Sequence, residues 1–174
     1  MKEPQPNLFN ALFSARPRSD LTPKENFLSE AFAYILQSSE IARDMWISKV
    51  LGHNVKAMPC EVFTRKSEPL GATTVYPGLV IEATVDDGKS PVFIYQEHKW
   101  DAGCGQEQLQ KYHEVAKRKG RYAVVFIGAT LDQLAIARKT KLSSNDAQTN
   151  EPRIECFLWE DIARLLRVFP VRTL

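Results

Sequence analysis

A nearly unbroken apolar run, RYAVVFIGA at residues 121–129, is the feature that most restricts the fold of this chain. A strand that is apolar at almost every position has no face for water, so it must be covered on both sides. Central strands of parallel or mixed sheets are buried in this way. The run therefore predicts a sheet enclosed by helices, and the 174-residue length suits one ordinary domain.

Four further segments have the composition of strands. They are residues 55–64, 73–85, 91–100 and 153–159. The second and third are joined by DDGK, a glycine-containing turn typical of a hairpin. The pattern predicts an antiparallel start to the sheet and a helical crossover into the buried strand.

Helical patterns flank these strands. Thr22, Pro23 and Glu25 match an N-cap, a first-turn proline and a capping-box glutamate. The predicted core-facing residues of this first helix are Phe27, Ala31, Tyr34 and Ile35, and those of a second helix at 40–51 are Ile41, Met45, Ile47 and Val50. An amphipathic helix at 106–119 carries Leu109, Tyr112, Val115 and Ala116 on one face, and shorter helices are predicted near 131–139 and 160–169.

The order of elements predicts an α/β fold with a mixed central β-sheet flanked by helices. Residues 1–21 are expected to be a polar lead-in, and residues 22–174 a single domain. The apolar lead-in residues Leu8, Phe9, Leu12 and Phe13 would contact a partner or cap the core. Because the chain ends soon after its last predicted helix, we keep open that it is one domain of a longer protein.

Composition limits the environment and the partners. No apolar run approaches the roughly 20 residues that span a bilayer, and the N-terminus has no signal-peptide pattern. Three widely spaced cysteines are typical of reduced thiols, so we expect a cytoplasmic protein without a membrane partner. The net charge of +2 does not demand a nucleic-acid partner, although the basic cluster at 117–121 is compatible with phosphate contact.

The strand at 91–100 ends in Glu97, His98 and Lys99. Strand positions two apart share a face, so Glu97 and Lys99 project to the same side and the His98 imidazole to the other. An ion pair at the margin of the sheet is the simplest interpretation of this pair. A mixed α/β domain in which Glu97 and Lys99 form only an ion pair is one open interpretation, and it predicts that Glu25, Gly78, Glu97 and Lys99 do not converge around one cleft.

The layout resembles the PD-(D/E)XK nuclease superfamily, whose pattern is Pro-Asp on one strand and Asp/Glu-x-Lys on the next. The corresponding tripeptide here is Glu97-His98-Lys99, and the Pro-Asp position is Pro77-Gly78. Gln108 and Tyr112 match the Gln-x-x-x-Tyr element of RecB-like members. Residues 25–36 resemble the opening helix, whose glutamate reaches the metal, and residues 157–166 resemble the closing strand and helix.

The resemblance implies a restriction-endonuclease-like αβββαβ core and Mg²⁺- or Mn²⁺-dependent hydrolysis of double-stranded DNA. Its implied metal ligands are Glu97, the backbone carbonyl of His98, and Glu25, with Glu30 as the alternative. Lys99 would act on water or phosphate, beside Gln108 and Tyr112. A restriction or anti-phage role, a homodimer, and a partner subunit or sensing domain are further expectations. Glu25 is equally explained as a capping-box residue. The alternative interpretation of Gln108 and Tyr112 is a helix-surface amide and a core aromatic.

The departure from the family pattern is Gly78, which stands where the metal-bridging aspartate is expected. Glu82 shares its parity but lies roughly 13 Å along the strand, too far to replace it. Three explanations stay open: a substitution, engineered or selected, in a toxic nuclease; a degenerate nuclease that binds DNA or protein; and an altered metal set that includes Glu61. We favour the first, an endonuclease domain inactivated at Gly78.

Overall fold

The computed structural model describes residues 23–85, 90–101, 103, 105–140 and 154–167. Within these ranges the elements are, in chain order, α1 (Pro23–Ser38), α2 (Glu40–Leu51), β1 (Ala57–Thr64), β2 (Glu68–Leu70), β3 (Thr73–Val75), β4 (Leu79–Val85), β5 (Ser90–His98), α3 (Gln106–Ala116), β6 (Arg121–Gly128), α4 (Leu131–Arg138), β7 (Ile154–Leu158) and α5 (Trp159–Arg167). The predictions for the lead-in, the Thr22 cap, the turn at 86–89 and Cys104 lie outside the described residues.

The five long strands form one mixed sheet in the order β1, β4, β5, β6, β7. Strand β4 is antiparallel to both of its neighbours, β1 and β5, with Leu79 opposite Gln96. Strands β5, β6 and β7 are parallel, with Glu97 beside Phe126. The predicted α/β class and mixed sheet are confirmed. From α1 through β6, the sheet-forming strands and flanking helices follow the helix, three strands, helix, strand order that the resemblance implies.

Each face of the sheet carries its own apolar layer. One layer joins the sheet to α1, α2 and α5 through residues such as Leu36, Trp46 and Ile162. The other joins it to α3 and α4 through residues such as Leu109 and Leu134. Strand β6 is buried from Ala123 to Gly128, so the predicted central strand is covered on both faces.

The predicted core faces of the first two helices are wrong in part. Helix α1 buries Phe32, Ala33 and Leu36, while Phe27 is 52% exposed. Helix α2 buries Ala42 and Trp46 beside the predicted Ile47 and Val50, while Ile41 is 66% exposed. Both helices carry apolar residues on more than one side. A set of positions shifted by one residue therefore has the same helical spacing as the predicted set. By contrast, all four predicted residues of α3 are buried.

Residues 73–85 form two strands and not the one predicted. Strand β3 pairs with β2 in a separate two-stranded sheet, and Tyr76, Pro77 and Gly78 separate it from β4. Proline lacks the N–H that a strand ladder needs, which accounts for the break. Gly78 therefore lies just outside β4, and the cost of glycine within a strand does not apply to it.

Helix lengths also bear on the membrane prediction. Among the described residues, no helix combines the length and apolar character needed to cross a bilayer.

Candidate functional site

A cleft of about 750 Å³ opens where β4 begins and β5 ends, beside α1 and α3. The residues that the sequence singled out and that line this cleft are Glu25, Gly78, Glu97, His98, Lys99, Gln108 and Tyr112. They come from four separate stretches of the chain. The antiparallel pairing of β4 with β5 and the crossover through α3 bring them to one place.

Glu97 projects from the end of β5 toward α3, with 5% of its side chain exposed. The Tyr112 hydroxyl donates a hydrogen bond of 2.6 Å to its Oε2 atom, and the Lys99 ammonium lies 2.8 Å from Oε1. Burial, together with the charge and hydrogen bond of Glu97, raises the pKa of Tyr112 above its ordinary value. The phenol therefore stays protonated and acts as a donor to the carboxylate.

Lys99 follows directly after β5, and its backbone is held on both sides. Its N–H donates to the Ile127 carbonyl at 2.8 Å, and its own carbonyl accepts from the Trp159 indole Nε1 at 3.1 Å. Its side chain is 12% exposed, with the ammonium 3.9 Å from Glu25 Oε2 in addition to the Glu97 contact. A lysine fixed in this way presents its charge at one defined point in the cleft.

Glu25 reaches the site from the first turn of α1. Its Oε1 atom accepts a hydrogen bond of 3.1 Å from the Trp100 N–H, and the Trp100 carbonyl accepts from Gln133 Nε2 at 3.2 Å. Glu30, the alternative ligand, forms an ion pair of 2.6 Å with Arg65 instead. Glu25 is thus the helix glutamate that meets Lys99.

The His98 ring lies among Ser29, Gln96 and Trp159 on the other side of β5 from the Glu97 contacts. Burial, and secondarily the Lys99 charge, lowers the pKa of His98 to about 3. Ser29 donates to the Glu25 carbonyl at 2.9 Å, so its oxygen can accept from His98 Nδ1–H at 2.7 Å. The ring is neutral and positions the strand end, while the predicted ligand role of its carbonyl stays a prediction.

Gly78 is not held by an unusual backbone conformation, since its φ lies outside the left-handed region. A Cβ atom added there would lie 3.3 Å from the Gln96 carbonyl oxygen, 3.6 Å from the His98 backbone nitrogen and 3.7 Å from Cγ of the His98 ring. The two backbone atoms flank Glu97. A side chain at position 78 therefore requires a shift of β5 by a few tenths of an ångström.

Gln108 occupies the first turn of α3, one turn before Tyr112, and is exposed to the cleft. A Cβ atom on Gly105 would lie 2.1 Å from Gln108 Oε1. Glycine at the N-cap of α3 thus leaves the space into which the Gln108 amide folds back.

The oxygen atoms available to a metal in this cleft come from few side chains. In the described part of the chain, no three His, Cys, Asp or Glu side chains lie close enough together to hold a metal ion. The cleft supplies two carboxylates, and both contact the Lys99 ammonium. Mg²⁺ is usually held by one or two carboxylates together with waters and substrate oxygens, so Glu25 and Glu97 are suitable ligands, while the carboxylate that the family pattern expects at position 78 is absent. Mg²⁺ or Mn²⁺ binding stays a prediction.

No protein-family model, curated protein or solved structure matches this chain. The order of the elements and the geometry of the cleft are the features that bear on its function.

Several residues of the site were missed in the sequence. Ser29 lies one helical turn after Glu25, a spacing that was available as a signal. Arg65 and Lys111 line the cleft, and Trp159 holds the Lys99 carbonyl. No local motif marks these three residues, because their roles depend on how distant segments meet.

The hydrogen bond between Tyr112 and Glu97 leads to a stability prediction. We expect Tyr112→Phe to lower the free energy of unfolding by about 1 to 2 kcal/mol, because the buried carboxylate loses a donor. Tyr76→Phe removes a phenol that is 61% exposed in the same cleft and is expected to cost less than about 0.5 kcal/mol. Urea denaturation of both variants measures the difference, and equal effects would contradict it.

Proposed function

We propose that this chain is a PD-(D/E)XK-like DNA endonuclease domain whose metal-dependent cleavage is disabled at Gly78. The observation that carries the proposal is the meeting of Glu25, Gly78, Glu97 and Lys99 in one cleft. An unrelated domain with a chance Glu-x-Lys gives no reason for the opening helix and the Pro-x segment to reach the same point. The order of strands and helices supports the same interpretation.

The residues of the cleft have separate tasks in this proposal. The Lys99 ammonium offsets negative charge that develops on the phosphate, and Glu97 and Glu25 hold it in place. Tyr112 orients Glu97, and the Trp159 indole fixes the backbone of Lys99. A divalent metal, when bound, would supply Lewis-acid stabilisation and an activated water.

The substrate and setting follow from the resemblance. We take double-stranded DNA as the substrate, with restriction or anti-phage defence in the cytoplasm as the setting. A second copy or a partner subunit would supply the second cut and any sensing function. The cationic cleft residues Arg65, Lys99 and Lys111 are suited to a phosphate backbone.

The experiment that tests the proposal restores the carboxylate. Supercoiled plasmid is incubated with Gly78→Asp and, in parallel, with the unchanged chain, in Mg²⁺ and in Mn²⁺. Cleavage by the variant supports a disabled nuclease. If folded Gly78→Asp cleaves in neither metal, the proposal of a substituted endonuclease fails.

A second candidate function is a non-catalytic DNA- or protein-binding module on the same fold. The observation that favours it is the ion-pair group itself, in which the Lys99 ammonium contacts both cleft carboxylates and partly balances their charge. This candidate predicts binding that is unchanged by EDTA and no gain of cleavage from Gly78→Asp.

A further inference from the structure

Arg65 has a backbone conformation that non-glycine residues rarely adopt. It directly follows β1, and its φ of 51° is the sole positive φ among the described non-glycine residues. Such a conformation is unfavourable for a residue with a side chain and is often found at functional sites. The surrounding contacts must therefore hold the residue in place.

The contact that holds Arg65 is an ion pair with Glu30. The Nη2 atom of Arg65 lies 2.6 Å from Glu30 Oε1, and 9% of the Glu30 side chain is exposed. The Arg65 side chain is 35% exposed, so the pair is buried at its acidic end and open at its basic end. A guanidinium has five N–H donors in a planar fork, which leaves donors for a second anion.

The open end of the pair faces the cleft. Arg65 lines it together with Lys99 and with Lys111 of α3. Arg65, Thr74 and Tyr76 all line the cleft and belong to the segment between β1 and β4, which forms one of its walls. The hairpin within that segment is anchored by buried Glu68, which contacts the Lys119 ammonium at 3.0 Å.

We propose that Arg65 binds a backbone phosphate of DNA in the cleft, positioned by Glu30 and by its left-handed backbone. The inference rests on the proposed function, because it names a contact for the substrate of that same cleft. Guanidinium groups match the geometry of phosphate oxygens and form charge-assisted hydrogen bonds with them. Glu30, expected as an alternative metal ligand, becomes a positioning residue for this arginine.

A purely structural role makes a different prediction. If the pair only ties α1 to the end of β1, its loss lowers stability and leaves DNA binding unaltered in folded protein. A phosphate contact instead contributes to the salt dependence of binding, because each neutralised phosphate releases counterions. The salt dependence of DNA binding therefore distinguishes a phosphate contact from a purely structural role, which leaves it unchanged.

The test measures binding of a fluorescent DNA duplex by anisotropy across a KCl series in EDTA, with the full chain. We expect Arg65→Gln to reduce the slope of log K against log salt by about 0.9, the value for one phosphate contact. Glutamine keeps an N–H donor for Glu30. The double variant Glu30→Ala/Arg65→Ala leaves no unpaired carboxylate and is measured as well, with folding of each checked by urea denaturation.

Arg164→Ala is the matched control, since Arg164 also pairs with a glutamate, Glu160, but on α5 and outside the cleft. Its slope is expected to equal that of the unchanged chain. Equal slopes for the Arg65 variants and the unchanged chain would overturn the inference and leave the proposed function standing. If the unchanged chain fails to bind DNA at the lowest salt, the proposed DNA function fails too.

Discussion

The Gly78→Asp variant is expected to cleave supercoiled plasmid at least about a hundredfold faster than the unchanged chain in Mg²⁺ or Mn²⁺. A metal at a hydrolytic centre supplies several kcal/mol of stabilisation to the transition state, and its loss has an effect of at least this size. Lys99 and Glu97 are already in the cleft that Gly78 lines. The variant supplies the carboxylate that the proposed function requires at this position.

The backbone of this region can accept the new side chain with a small adjustment. The Cβ contact of 3.3 Å with the Gln96 carbonyl requires a shift of a few tenths of an ångström. A third carboxylate beside Glu25 and Glu97 also adds repulsion when no cation balances it. We therefore expect divalent metal to raise the melting temperature of Gly78→Asp more than that of the unchanged chain.

Two substitutions at the same position separate charge from shape. Gly78→Asn adds a side chain of nearly the same size without a charge, and Gly78→Ala adds only the Cβ atom. Both are expected to stay inactive, and Gly78→Asp/Lys99→Ala is expected to lose the gained activity. Cleavage by Gly78→Asn at the rate of Gly78→Asp would show that a carboxylate is not what the cleft lacks.

The parts of the fold that the sequence predicts well have one unambiguous pattern. Strand β6 is apolar from Tyr122 onward, and α3 has a single apolar face, so the sequence predicts both the elements and their buried residues. Helix α1 has apolar residues around much of its surface, and its packing against neighbouring elements, such as Phe32 against Trp46 and Trp159, selects the buried face. Strands β2 and β3, with three residues each, are too short to show a period.

The residues of the candidate site also differ in how well the sequence predicts them. Glu97, Lys99 and Tyr112 lie in short motifs with regular spacing, which a sequence displays directly. The pairing of Glu30 with Arg65 joins residues 35 positions apart, and the left-handed backbone of Arg65 has no glycine to mark it. Such contacts arise from how α1 meets the end of β1, which neither segment encodes alone.

Acid is expected to destabilise this protein through His98. Its pKa falls from an ordinary value of 6.5 to about 3, chiefly because the ring is buried. Above pH 6.5 the ring is neutral in both the folded and the unfolded chain, so its contribution to stability is fully present. As the pH falls below that value, only the unfolded chain takes up the proton. Stability is then lost at up to about 1.4 kcal/mol per pH unit until the folded pKa is reached.

The comparison of His98→Asn with the unchanged chain isolates this effect from other groups that titrate in the same range. Asparagine retains an N–H donor for Ser29 but does not titrate, so the variant is expected to lose stability less steeply with acid. His53→Asn is the control, because His53 is exposed and lies outside the cleft. Urea denaturation at about pH 7, 6 and 5 measures the three slopes.

A smaller loss of stability per pH unit in His98→Asn, but not in His53→Asn, would also show that the surroundings of His98 resist protonation. The His98 ring contacts Ser29 of α1 and packs edge-on against Trp159, with 5.0 Å between the ring centroids. The Trp159 indole in turn donates a hydrogen bond to the Lys99 carbonyl. Protonation of the ring would bury a positive charge next to Lys99. Acid therefore destabilises the same contacts that fix Lys99 in the cleft. Equal slopes for the unchanged chain and His98→Asn would mean that the folded protein does not hold the ring neutral in acid.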